Sequence, residues 1–121
     1  MSAMSRARTD GDAAEALARR FLERQGLEFV QGNFNCRFGE IDLIMRNGNT
    51  LVITEVRKRS HRGFGSAAET VSFGKQRRIV KATRALIAQQ PQLAEYYIRF
   101  DVIGVDADNR VDWIPSAFED A

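Results

Sequence analysis

The chain has 121 residues, 44% of them hydrophobic, and a formal net charge of +2. It is long enough for one domain with a real core and too short for two, so we expect a flexible tail at residues 1–9 and a single domain at 10–121. No apolar run reaches the ~20 residues of a membrane helix, and the N-terminus lacks a signal-peptide core. One cysteine, Cys36, excludes an internal disulfide, and Cys36 with the single His61 makes no zinc site. We therefore expect a cytoplasmic protein with no membrane partner.

The first half of the chain predicts one helix and three strands. Apolar residues at helical spacing predict the helix from Asp12 to about Gln25, with Gly26 as its stop. The segments "LEFVQGNF", "FGEIDLIMR" and "TLVITEVRK" are typical of strands. The last two are joined by "NGN", whose Asn-Gly pair favours a hairpin because both turn residues tolerate positive φ.

The second half predicts a helix followed by two strands. The helical pattern runs from about Phe73 to Gln90 and ends at Pro91. The strands "YIRFDVIGV" and "RVDWI" flank the polar turn "DADN". The order helix, three strands, helix, two strands predicts an α/β fold in which helices cover a mixed β-sheet around a central hairpin.

Three acids lie within the predicted hairpin strands, in segments that are otherwise typical of buried strands. Burying an unpaired carboxylate costs roughly several kcal/mol, so these acids need a cation or hydrogen bonds. Side chains alternate along a strand, which places Glu40 and Asp42 on one face, Ile41 and Leu43 on the other, and Asp42 near Glu55 across the hairpin. Two carboxylates this close repel each other unless a cation lies between them, and the usual cation for such an oxygen pair is Mg²⁺ or Mn²⁺.

The acids also have simpler interpretations. On a solvent-exposed strand face they would pair with the nearby arginines Arg46, Arg57 and Arg59. Glu15 in the first helix also has two interpretations. With Asp12 as N-cap, "DAAE" is a variant of the capping box. Glu15 also lies at the edge of the apolar arc, where it would face the sheet.

Positive charge is concentrated in one segment. Between Arg57 and Arg84 the sequence has nine Lys or Arg and one acid, Glu69. Such a block on a nearly neutral chain is typical of a phosphate-binding surface, although a solvated charge run is the simpler alternative. The candidate contacts are Arg57, Lys58, Arg59, Arg62, Arg77, Arg78, Lys81 and Arg84.

The second helix separates its charges by face. Its predicted inner arc is Ile79, Thr83, Leu86 and Ile87. Arg77, Lys81 and Arg84 lie on the opposite face, where they are available to phosphate. Lys75 instead projects toward the inner side in the first turn. A lysine there needs a partner, and the acids of the sheet are candidates.

Five segments together resemble the YraN family of small bacterial proteins, over nearly the whole chain from Gly11 to Phe118. They are "GDAAEALARRFL", "GNFNCRFGEIDLIM", "VITEVRKRS", "GSAAETVSFGKQRRI" and "RFDVIGV". The resemblance implies a restriction-endonuclease-like fold related to Holliday-junction resolvases. In that fold the PD-(D/E)XK signature supplies an acid from the first helix, an acid from a hairpin strand and an acid-x-lysine pair on the next strand.

On this chain, Glu15 resembles the helix acid, Asp42 the first strand acid and Glu55 the acid of the acid-x-lysine pair. The lysine position holds Arg57, and arginine stays charged where lysine can lose a proton. Lys75, reaching from the following helix, is the best substitute. The resemblance thus implies the catalytic set Glu15, Asp42, Glu55, Arg57 and Lys75.

Two functions follow from these expectations. The first is a Mg²⁺- or Mn²⁺-dependent endonuclease on DNA, including branched or damaged DNA, with the metal on Asp42 and Glu55 and the basic residues on the DNA backbone. The second is a non-catalytic nucleic-acid-binding or adaptor protein that lost its chemistry with the lysine. A protein-interaction module with a basic face is a third alternative. The sequence leaves the oligomeric state open, with a homodimer as one alternative.

Overall fold

Two helices and five strands follow one another in the predicted order in the computed structural model, which describes residues 6–59 and 71–120, with side chains from residue 12 onward. The helices are α1 (Arg6–Arg24) and α2 (Phe73–Gln89). The strands are β1 (Glu28–Cys36), β2 (Gly39–Asn47), β3 (Thr50–Lys58), β4 (Tyr97–Val105) and β5 (Val111–Phe118). A short 3₁₀ helix, Pro91–Glu95, joins α2 to β4. The predicted fold class, a mixed sheet flanked by helices, is confirmed.

The five strands form one sheet in the order β1-β2-β3-β4-β5. The pairs β1–β2, β2–β3 and β4–β5 are antiparallel, and β3–β4 is parallel. A parallel pair needs a long crossover, and the segment containing α2 supplies it. The hairpin β2–β3 is therefore covered by helices that precede and follow it.

Each face of the sheet carries its own hydrophobic core. Ala14, Ala18 and Leu22 of α1 pack against one face, with Leu43 and Met45 of β2. On the other face the core includes Ile44, Leu51, Ile53, Ile79, Leu86, Phe100 and Val102. Because both faces are covered, β3 is buried on both sides from Leu51 to Glu55. An acid such as Glu55, at the end of this buried run, needs a specific partner.

Two local predictions differ from the structure. Helix α1 begins at Arg6, so Asp12 lies inside the helix and is not its N-cap. Residues 6–9, predicted as part of the tail, belong to this helix, and residues 1–5 lie outside the described part of the chain. The β2–β3 turn has Gly48 and Asn49 at its centre, and only Gly48 of the two has a positive φ, 60°. This matches a type II′ turn with glycine first, whereas Asn-Gly as the central pair was predicted.

None of the helices in the described residues is both long enough and apolar enough to cross a membrane.

Candidate active site at the open end of the hairpin

The β2–β3 hairpin opens at the end opposite its turn. Strand pairing runs from Asn47 and Thr50 to Leu43 and Thr54. One step further, the backbone N–H of Val56 donates to Oδ2 of Asp42 at 2.9 Å. The Asp42 carboxylate thus takes the place of a strand carbonyl where the two strands separate. Asp42 lies beside Glu55, the residue that would be directly opposite it if the β2–β3 register continued one step beyond Leu43 and Thr54.

Glu55 is the most deeply buried acid of this region, with only 4% of its side chain exposed. Its Oε2 lies 3.0 Å from Nζ of Lys75 and 3.5 Å from Nη1 of Arg57. The partner expected for Lys75 among the acids of the sheet is therefore Glu55. Lys75 from α2 and Arg57 from β3 therefore contact the same oxygen.

Lys75 reaches Glu55 because of where α2 begins. Ser72 is the N-cap, and its Oγ accepts the backbone N–H of Lys75 at 3.2 Å. The side chain of Gln76 adds a bond to the carbonyl of Val71 at 3.0 Å. These contacts fix the conformation of the first turn of the helix. Lys75 then lies on the same side of α2 as the buried Ile79.

Burial and repulsion make Asp42 a weak acid. Loss of hydration raises its pKa to about 8, and the neighbouring charge of Glu55 acts in the same direction, against the hydrogen bond from Val56. Glu15 adds a smaller contribution of the same sign. Such a shift marks a carboxylate that lacks sufficient positive charge nearby, as catalytic carboxylates often do.

Glu15 completes a group of three linked acids. It is half-buried in α1, and burial followed by the charge of Glu40 raises its pKa to about 7. A hydrogen bond with the side chain of Asn33 acts in the opposite direction. A cleft of about 300 Å³ is lined by Glu15, Asn33 and Asp42. The acid of the helix and the acid of the strand therefore face one shared space.

Asn33 is a site residue that sequence reasoning missed. Its φ is 52°, a left-handed conformation that asparagine tolerates better than most residues. In the β1–β2 register it falls opposite Asp42, between the pairs Gly32–Leu43 and Phe34–Ile41. The available signal was the sequence "GNFN", in which asparagine follows glycine inside a predicted strand.

The simple alternation predicted for β2 fails at the same place. Ile41 packs in the core beneath α2, whereas Leu43 packs beneath α1, although the two residues were predicted on one face. The change of face coincides with the left-handed residue Asn33 on the neighbouring strand. This irregularity allows Asp42 to contact β3 and also to line the cleft beneath α1.

The solvent-face interpretation of the acids does not describe Glu55, which is buried. Two of the three arginines proposed as partners bind other acids. Arg46 forms an ion pair with Glu28 and donates to the hydroxyl of Tyr96, and Arg59 lies 3.7 Å from Asp112.

The donor atoms of the site are carboxylate oxygens, which Mg²⁺ and Mn²⁺ prefer. Within residues 6–59 and 71–120, no three His, Cys, Asp or Glu side chains approach closely enough to form a ready-made metal cage. Asp42 and Glu55 are in contact, and Glu15 interacts with both at longer range. The pair is the part of the site that could hold a cation.

The basic candidates fall into two groups. Arg77, Arg78, Lys81 and Arg84 are exposed on α2, as predicted. Arg84 places Nη2 3.1 Å from both carboxylate oxygens of Asp120. Lys58 is exposed at the end of β3, and Arg59 is half-buried beside it. Arg62, His61 and most of the loop "RKRSHRGFG" lie outside the described residues.

Comparison with known proteins places these residues within a shared sequence. Residues 14–105 match the uncharacterised protein family UPF0102. A UPF0102 protein of Pseudomonas savastanoi pv. phaseolicola is 42% identical over 113 residues, covering 90% of this chain and 92% of its own. A UPF0102 protein of Legionella pneumophila subsp. pneumophila is 42% identical over 110 residues, covering 90% of this chain and 93% of the relative. A UPF0102 protein of Stutzerimonas stutzeri is 39% identical over 119 residues, covering 96% of this chain and 99% of the relative. The matched range includes Glu15, Asp42, Glu55, Arg57 and Lys75.

Proposed function

We propose that this chain, which belongs to the uncharacterised protein family UPF0102, is a metal-dependent endonuclease that hydrolyses phosphodiester bonds in DNA. The observation that carries the proposal is the contact between the half-buried Asp42 and the buried Glu55, with Lys75 on the latter. The resemblance to the YraN family, which implies a restriction-endonuclease-like fold related to Holliday-junction resolvases, supports the same reaction. Branched or damaged DNA is the substrate class that this resemblance favours.

The residues present fit a divalent cation. Asp42 and Glu55 repel each other, and this repulsion contributes to the raised pKa of Asp42. A cation between them would relieve the repulsion and keep both carboxylates ionised. Mg²⁺ is commonly bound by only one or two carboxylates, with water and substrate phosphate oxygens as further ligands. Two contacting acids therefore suffice, and Glu15 would support them from α1.

When bound, the metal would neutralise charge on the phosphate and make a bound water more acidic. The reaction adds water across a P–O bond: the water oxygen joins phosphorus, and the departing DNA oxygen takes a proton. Of the two cations that contact Glu55, Lys75 is the one that we assign to proton transfer, because lysine is a residue type that acts as a general acid or base whereas arginine keeps its charge. Arg57 would orient the phosphate and offset the extra negative charge of the transition state.

The outer face of α2 would hold the DNA backbone. Arg77 and Lys81 are exposed, and neither has an ion-pair partner in the described part of the chain. Contacts of this kind position DNA without reading its sequence. Replacing both with Gln should reduce the slope of log K against log salt by roughly two, at ~0.9 per phosphate contact. Fluorescence anisotropy at several salt concentrations measures this slope.

One observation favours a second candidate, a nucleic-acid-binding or adaptor protein without catalysis. Both Lys75 and Arg57 already contact Oε2 of Glu55, so this acid has cationic partners without a metal. A protein that lost the lysine of the acid-x-lysine pair could keep the acids as structural elements. The two candidates predict the same DNA binding and differ only in cleavage.

A cleavage assay across DNA shapes separates the candidates. Wild-type protein would be incubated with labelled linear, flapped and four-way DNA in Mg²⁺, Mn²⁺ or EDTA. We expect metal-dependent cleavage, lost in Asp42→Asn and in Glu55→Gln. Glu28→Gln is the matched control, because Glu28 is an ion-paired acid on an edge strand, bound to Arg46.

Isothermal titration with Mn²⁺ reports on the metal independently of cleavage. Binding should be present in wild type and Glu28→Gln and absent in the two site variants. If no DNA is cleaved with any divalent metal while DNA binding persists, the adaptor function replaces the nuclease.

A further inference from the structure

A cleft lies between the outer face of α2 and the end of β5. It has a volume of about 610 Å³. Val80, Ala117 and Phe118 form its apolar floor, and Phe73, Arg77 and Lys81 line its α2 wall. The stacked rings of Phe100 and Phe118, 5.0 Å apart, fix the floor to the core. The cleft is thus a built feature of the fold.

Phe73 is unusual for an aromatic residue, because 78% of it is exposed. It is the first residue of α2, at the mouth of the cleft. Arg77 and Lys81 follow at intervals of four residues, about 6 Å apart along the axis. The aromatic ring and the two cations therefore lie in one row on one face of the helix.

The cations of this row are not used by the fold. Arg84, one turn further, is paired with Asp120, which also lines the cleft. Arg77 and Lys81 have no ion-pair partner among the described residues. Glu119 is the remaining acid of the rim. The α2 wall therefore presents unpaired positive charge beside an exposed ring.

We propose that this cleft binds a single strand of nucleic acid, with a base stacked on Phe73 and the adjoining phosphates on Arg77 and Lys81. Proteins that bind single strands combine these two elements, a cationic groove and an aromatic platform. The inference rests on the proposed nuclease function, because it assigns the unpaired part of a flapped or branched DNA substrate to this cleft.

The position of the cleft relative to the acids favours a nucleic-acid strand over a peptide. Phe73 begins the same helical turn that carries Lys75, and Lys75 contacts Glu55. The Phe73 end of the cleft is therefore at the same end of α2 as the contact between Lys75 and Glu55. A docked acidic peptide would gain the same charge complementarity, but its path would have no relation to the acids.

Anisotropy measurements in EDTA test the proposal without any cleavage. The probes are labelled oligo-dT and a labelled duplex of equal length. Wild type should bind oligo-dT, and Phe73→Ala should weaken this binding by roughly 5- to 150-fold, the range for loss of one stacked base. Phe73→Trp should retain it. Duplex affinity should be unchanged in both variants, because the duplex offers no unstacked base.

Tyr97→Ala is the matched control. Tyr97 is also an exposed aromatic, at 75%, but it lies at the hairpin-turn end of the sheet, where it pairs with Thr50. Its loss should leave oligo-dT binding unchanged. Neither substitution removes a buried side chain, and circular dichroism would verify folding.

Three results would overturn the inference: equal oligo-dT binding by wild type and Phe73→Ala, equal losses in Phe73→Ala and Tyr97→Ala, or Phe73-dependent binding of an acidic aromatic peptide by a protein that does not bind oligo-dT. Phe73-dependent strand binding without cleavage would leave the inference standing while the nuclease function fails. Metal-dependent cleavage by wild type, together with oligo-dT binding that is unchanged in Phe73→Ala, would overturn the inference and leave the nuclease function standing.

Discussion

The same sheet holds two centres of buried carboxylate, and they are built in opposite ways. Asp101 in β4 is fully buried and accepts four hydrogen bonds at 2.9–3.0 Å, two from Arg99, one from the indole of Trp113 and one from the backbone of Ser116. Asp42 accepts one backbone hydrogen bond and lies against a second carboxylate, Glu55.

The comparison separates an acid whose charge the fold compensates from one whose charge it does not. Asp101 lies at the irregularity between Phe100 and Val102 in the β4–β5 pairing, and its donors come from both strands. Every acceptor position is filled, so a metal or substrate would have nothing to add. Asp42 carries a raised pKa, because its surroundings do not compensate its charge. A ligand that brings positive charge would therefore be bound more tightly at Asp42 than at Asp101.

The largest expected effect comes from making the same change in both centres. Asp101→Asn turns an amide N–H₂ toward donors that need an acceptor, so it should lower the free energy of unfolding by roughly 3–5 kcal/mol. Asp42→Asn keeps an oxygen for Val56 and removes the repulsion with Glu55, so it should be neutral or stabilising. Urea unfolding in EDTA measures both. Equal losses would mean that the two centres are structural alike.

Cleavage should depend on the two cations that contact Glu55. Lys75→Ala should lower metal-dependent cleavage by on the order of 10²-fold, the lower end for a group that handles a proton. Arg57→Lys should retain or increase cleavage, because it restores a side chain that can lose its proton. Single-turnover cleavage at saturating protein measures the rates. Unchanged cleavage in Lys75→Ala would remove this residue from the reaction.

Stability should also depend on pH through Asp42. Its pKa rises from 3.8 to about 8 on folding, so between these values the folded state keeps a proton that the unfolded state has lost. The free energy of unfolding should therefore fall as pH rises through this window, by on the order of 1–3 kcal/mol once water access to a half-buried group is allowed for. Urea unfolding in EDTA at several pH values measures the slope.

Asp42→Asn is the control for this prediction, because it removes the titrating group and should flatten that part of the profile. Mn²⁺ should stabilise wild type more at high pH than at low pH, since the cation competes with the proton for the same oxygens. A wild-type profile that matches the variant would show that Asp42 is ionised throughout.

The sequence predicted the elements well and the irregularities poorly. The continuous apolar run identified β3, because a strand that is buried on both faces has apolar residues at successive positions. Helical periodicity placed Lys75 on the inner side of α2. It could not show the left-handed Asn33 or the change of face between Ile41 and Leu43, because these depend on pairing with a neighbouring strand. Asp101 was also missed as a network centre, because its donors come from distant positions in the chain.

The smallest predicted effect tests whether the first turn of α2 positions Lys75. Ser72→Ala removes the Oγ that accepts the N–H of Lys75, and loss of such a cap should lower the free energy of unfolding by about 1 kcal/mol. Ser72→Asp keeps an acceptor and should restore stability. If the turn positions Lys75 on Glu55, the alanine variant should also cleave more slowly under conditions where it is fully folded, and the aspartate variant should recover. If both variants cleave at the wild-type rate, the cap does not position Lys75. The lysine then reaches Glu55 through the flexibility of its own side chain.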